Sequence, residues 1–137
     1  MKNKIHCFVN HIYPRKLYVV ITDSAFFLNQ HFTNRECEEQ ISQEDFDKSK
    51  AITFRCASLI NGDYGVCVAF HKKEYMAMRE MAHEALHVST AIHKDLGISM
   101  GFNIGEDETC AYITGWAADC INRVRTNNFE YEKMYIS

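Results

Sequence analysis

Residues 51 to 97 constrain the fold more than any other part of the chain. They begin AITFRCASLI-NG-DYGVCVAF, two β-prone runs separated by Asn61-Gly62, and continue into a stretch with helical periodicity. Asparagine and glycine both accept the positive φ of a type I′ turn, so this dipeptide between apolar runs predicts a β-hairpin. A two-residue turn at that point sets Cys56 opposite Cys67, in a hydrogen-bonded pair whose side chains stand apart. From Glu74 to Leu96 the apolar residues Met78, Met81, Ala82, Ala85, Leu86, Ala91 and Ile92 recur at three- and four-residue spacing, which predicts an amphipathic helix. Gly97 suits its C-terminal cap, and Lys94 suits the dipole of its last turn.

The flanking segments extend this pattern. KLYVVIT (16–22) reads as a buried strand, and Asp23 and Ser24 can cap a helix over SAFFLNQHF. In that helix Phe26 and Phe27, with Phe32 at its end, are expected to pack on the sheet. The acidic stretch 34–50 reads as a solvated connection with a helical turn or two. After a loop, ISMGFNI, a second helix opens at GEDETCAYITGWAADCINRV, with acids in its first turn. The expected architecture is therefore α+β: a small, mainly antiparallel sheet from strands near 17–22, 51–59 and 63–70, packed against two helices. At 137 residues the chain fits one domain, 1–137.

Charge and composition remove several classes of function. A formal net charge of −3 with no lysine or arginine cluster argues against nucleic acid as a partner. No apolar run is long enough to span a membrane, and the N-terminal segment MKNKIHCFVNHIYPRK lacks the apolar core of a secretion signal. The expectation is a cytoplasmic protein with no membrane partner. Its six cysteines are then reduced thiols serving as small core residues, and none stands in a C-x-x-C pair.

The long helix carries the chemistry. Within MREMAHEALHVSTAIHKDLG, His83, Glu84 and His87 form H-E-x-x-H. On a helix this spacing sets two imidazoles one turn apart on one face, where both can reach one ion. The glutamate after the first histidine lies beside that ion, positioned as a base for a metal-bound water. The plain alternative is three polar residues on a helix surface. A stable zinc site needs a third ligand, and the chain offers two. His93 has the spacing of the metzincin pattern, but Thr90 stands where that pattern breaks the helix at glycine. If the helix continues, His93 points away from His83 and His87 and is expected to be a partly exposed surface histidine. Glu108 on the second helix is the preferred ligand. It begins a stripe of small residues (Ala111, Gly115, Ala118) that would let the two helices approach closely.

H-E-A-L-H followed by E-T-C-A-Y on a second helix resembles the gluzincin zinc peptidases, most closely minimal forms such as the ImmA/IrrE-type proteins of phages and mobile elements. The resemblance covers about residues 51 to 125. It implies a zincin-like fold and Zn²⁺ as cofactor, held by His83, His87 and Glu108, with Glu84 as general base. It also implies hydrolysis of a peptide or protein substrate by metal-activated water. Tyr112 stands where an Asp or Asn often follows the family's alanine. Tyr112, His71 and His93 are the candidates for stabilising the transition state. The strand over 63–70 is the expected sheet edge for binding an extended peptide. The competing expectation is a non-catalytic zinc-binding structural or protein-binding module that kept the fold.

Overall fold

The computed structural model describes residues 3–129. Its elements run β1 (Lys4–Phe8), β2 (Lys16–Ile21), α1 (Ala25–His31), β3 (Phe32–Asn34), α2 (Gln43–Phe46), β4 (Ala51–Ser58), β5 (Tyr64–Phe70), α3 (Met78–Leu96) and α4 (Glu108–Thr126). The strands make one mixed sheet in the order β1-β2-β5-β4-β3. All pairings are antiparallel except β2 with β5, which is parallel. The fold is α+β as expected, with β1 and β3 as two strands that the sequence did not announce, and the helix expected over SAFFLNQHF present as α1.

Alternation along the strands builds both layers. Leu17, Val19, Val66 and Val68 point to one face, where they meet Ala85, Val88 and Ile92 of α3 and Ile113, Ala117 and Ile121 of α4. Tyr18, Val20, Phe54 and Cys67 point to the other, where Ala25 and Leu28 of α1 and Phe46 of α2 cover them. Each fully buried aliphatic side chain in these clusters contributes about 1.5–3 kcal/mol relative to exposure. The acidic stretch is thus more than a solvated connection, because its Phe46 is fully buried. Phe26, expected on the sheet, is 70% exposed, whereas Phe27 is half-buried against this cluster as expected, beside the fully packed Ala25 and Leu28. Phe32 is buried, but as the first residue of β3.

The hairpin closes differently from the expected two-residue turn. Cys67 pairs with Phe54, and Cys56 pairs with Gly65, a shift of the register by two residues. The reason is a longer loop. Leu59 donates its N–H to the His31 carbonyl at 2.9 Å, which takes it out of the hairpin, and Gly62 closes back on the Ser58 carbonyl at 2.8 Å with φ 77°. Cys56 and Cys67 therefore sit diagonally on the same buried face, both as free thiols. The strand expected to be an edge, β5, lies inside the sheet between β2 and β4. β4 pairs with β5 along its inner side, but β3 covers its outer side only over Cys56–Ser58, so the outer side of Ala51–Phe54 has no strand against it among the described residues.

The C-terminal end of α3 is pinned to the sheet by charge. Asp95, with 2% of its side chain exposed, accepts from Arg15 at 3.0 Å, Arg35 at 2.7 Å and Arg55 at 3.1 Å. Burial by itself would raise its pKa. The hydrogen bonds from the three guanidiniums reverse that and bring it down to about 2. Among the described residues, no helix is long and apolar enough to cross a membrane.

Candidate metal centre

α3 runs unbroken from Met78 to Leu96 and ends at Gly97, whose φ of 68° makes the left-handed cap that the sequence predicts. It passes through Thr90 without a kink, the threonine hydroxyl bonding back to the His87 carbonyl at 3.1 Å. The i, i+4 spacing therefore operates on a straight helix. The His83 and His87 side chains lie together on its exposed face, with Nε2 atoms 3.1 Å apart. Two nitrogens bound to one tetrahedral zinc at 2.0–2.1 Å are about 3.3 Å apart, so the pair needs almost no adjustment to share an ion.

Glu84 sits where α3 meets the sheet. Its side chain is 10% exposed, Oε1 accepts from the Thr53 hydroxyl of β4 at 2.7 Å, and Oε2 lies 3.9 Å from His83 Nε2. The motif glutamate is thus held from below by one oxygen, with the other turned towards the His83 imidazole. Shallow hollows of about 240 and 220 Å³ flank this bridge along the β4 edge, one beside His83 and one beside His87.

The structure separates the other candidates from this pair. His93 is 2% exposed rather than partly exposed, because α4 covers that side of α3. Its Nδ1 donates to the Ser89 carbonyl at 2.7 Å, which leaves Nε2 to accept from the Thr109 hydroxyl at 3.0 Å. Six residues on from His87 it lies about 240° around the helix, as an unbroken helix requires. The small-residue stripe of α4 turns outward at Ala111 and Gly115, while Ala118 is partly buried against the core. Ala111 and Gly115 are exposed, a Cβ built on Gly115 meets nothing within 4 Å, and α4 packs through Ile113, Ala117, Cys120, Ile121 and Val124. Glu108 shares the outward side of the helix and is exposed. Among the described residues, no three His, Cys, Asp or Glu side chains are grouped so that they could hold a metal ion. Glu108 is therefore not within ligating reach of the histidine pair. Tyr112 is 47% exposed and packs near Tyr13, and His71 donates to the Phe46 carbonyl. Among the described residues, neither hydrogen-bonds to nor stacks on the pair.

Two residues at the centre were not legible as site residues. Thr53 gave no signal, because its approach to Glu84 depends on strand order. Glu80 had one: it stands four residues before Glu84, on the same flank of α3. It lines the hollow beside His83, its Oε1 is 3.7 Å from Lys50, and its Oε2 is buried without a partner. Comparison with protein-family models, characterised proteins and solved structures finds no match in any of the three.

Proposed function

We propose that this chain is a zinc-dependent hydrolase of peptide bonds, of zincin-like type. In this reading His83 and His87 hold the metal, Glu84 is the general base and Glu108 completes the ligand set. The observation that carries the reading is the joint geometry of the motif: two converging imidazoles and a carboxylate fixed beside them by Thr53. When bound, zinc would lower the pKa of a water and polarise the scissile carbonyl. Glu84 receives the proton at Oε2, since Oε1 is engaged by Thr53. The open outer side of β4 over Ala51–Phe54 runs beside the motif and suits an extended substrate that adds as a strand.

Glu108 must move to serve as a ligand. It is the first residue of α4, whose cap position Asp107 makes no side-chain capping bond and follows Gly105 at φ 87°. Rearranging that first turn breaks no side-chain cap, but it must keep or re-form the His93–Thr109 and Ser89–Cys110 hydrogen bonds that tie the turn to α3. A second reading keeps the fold without the chemistry: a non-catalytic zinc-binding structural or protein-binding module that uses the exposed His83–His87 face to hold a protein. Glu84→Gln separates the two. In the hydrolase the variant keeps zinc and loses cleavage of unstructured peptide substrates. In the binding module the parent chain cleaves nothing and the substitution changes nothing measurable.

A further inference from the structure

Two surfaces at opposite ends of the α3–α4 pair fit each other. At one end, the loop between the helices holds Phe102 and Ile104 fully out in solvent, at 107% and 105% of reference exposure, with Met100 at 45%. The loop is stapled rather than slack. The Glu106 carbonyl accepts from Gly101 at 3.2 Å, its carboxylate accepts from the Asn103 N–H at 3.0 Å, and its own N–H returns to the Asn103 carbonyl at 3.0 Å. Apolar tips held in water by an ordered loop mark a contact surface, since collapse onto the chain would otherwise hide them. The exposed acids Asp107 and Glu108 follow directly.

At the other end lies an open pocket of about 620 Å³, lined by Met76, Ala77, Lys73, Glu74 and Arg125. Its floor is apolar, and its two cations outnumber its one acid. Neither Lys73 nor Arg125 takes part in an ion pair among the described residues. The two surfaces are separated by the 19 residues of α3, about 28 Å, so one chain cannot join its own.

We propose that the chain associates with second copies of itself head to tail, Phe102 and Ile104 of one copy entering the Met76–Ala77 pocket of the next. Asp107 then faces Lys73 and Arg125, whether or not Glu108 is engaged elsewhere. Because the two surfaces differ, the contact is heterologous and propagates into rings or open chains instead of stopping at a two-fold dimer. A lipid surface is the poorer occupant of the loop: acids flank the apolar tips, and an anionic headgroup layer repels them. This association needs neither the histidine pair nor zinc.

The test is sedimentation velocity of the full chain in chelator, over a range of concentrations. The weight-average mass is expected to climb past twice the chain mass of 15.9 kDa, and less steeply at high salt. Phe102→Glu and Ala77→Trp, both at exposed positions, should each remain monomeric. An equimolar mixture of the two should associate again but stop at two chains, since each variant keeps one working surface. A parent chain that stays monomeric at its highest soluble concentration, or stops at a dimer, overturns the proposal. So does association that survives either substitution, or a mixture of the variants that remains monomeric.

Discussion

The Thr53 hydroxyl donates to Glu84 Oε1 across 2.7 Å, from the middle of β4 to the middle of α3. The contact locks the glutamate of the H-E-x-x-H motif to the sheet while its histidines face outward. Thr53→Val keeps the shape and removes the donor, leaving a nearly buried carboxylate oxygen unpaired. The metal-free protein should lose about 1–3 kcal/mol in urea unfolding. Zinc affinity should hold, because Thr53 touches neither imidazole. A variant as stable as the parent would show that water replaces the hydroxyl and that the lock is unimportant.

Asp95 predicts an acid limit to stability. Its carboxyl is held at about 2, below its ordinary value of 3.8. A depressed carboxyl contributes stability that is fully present above about pH 4 and drains away as pH falls towards 2, on the order of 2 kcal/mol in all. Asp95→Asn should therefore flatten the decline of unfolding free energy across that window. Parallel curves for parent and variant would place the acid sensitivity elsewhere. Asp95→Ala should cost more, about 3–5 kcal/mol, by leaving three guanidiniums clustered around a missing anion.

Thiol reactivity should divide by burial. Cys7 and Cys37 are exposed, whereas burial pushes the Cys56 thiol up to about 12 and the Cys67 thiol well above its ordinary range. In the native chain Cys37 should react fastest with a thiol reagent and Cys7 more slowly, since partial burial pushes its thiol up, while Cys56 and Cys67 stay silent. After unfolding without reductant all six should react. A count of four would mean a disulfide that the structure does not contain.

His93 is a packing residue between α3 and α4. His93→Ala removes its link to Thr109 and leaves a void, so unfolding free energy should fall by about 1–3 kcal/mol, more than an exposed histidine would cost. Zinc affinity measured on the same sample should be unchanged. A loss of metal with no loss of stability would reverse the assignment.

Much of the fold was legible because its signals are local. The period of α3, its stop at Gly97 and the β-rich runs of β2, β4 and β5 all follow from neighbouring residues. The register of the hairpin did not, because Asn61-Gly62 competes with the distant carbonyl of His31 for Leu59. β3 is three residues long and β1 mixes polar and apolar positions, so neither carries a clear strand pattern. At the candidate site, the shared face of His83 and His87 follows from helix geometry alone. The outward turn of Glu108 follows from which side of α4 the core selects, and small residues on the opposite side gave a misleading cue.

The central claim is that His83 and His87 hold one zinc ion and that Glu108 joins them. Competition against a chromophoric chelator at neutral pH tests it directly, on the parent chain and on His83→Ala, His87→Ala and Glu108→Ala. The account predicts one zinc per parent chain, a loss of at least about tenfold in affinity for each histidine variant, and a comparable loss for Glu108→Ala. Zinc binding that ignores Glu108 overturns the proposed ligand set and favours the non-catalytic zinc-binding module over the hydrolase. A parent chain that takes up no zinc contradicts the account altogether.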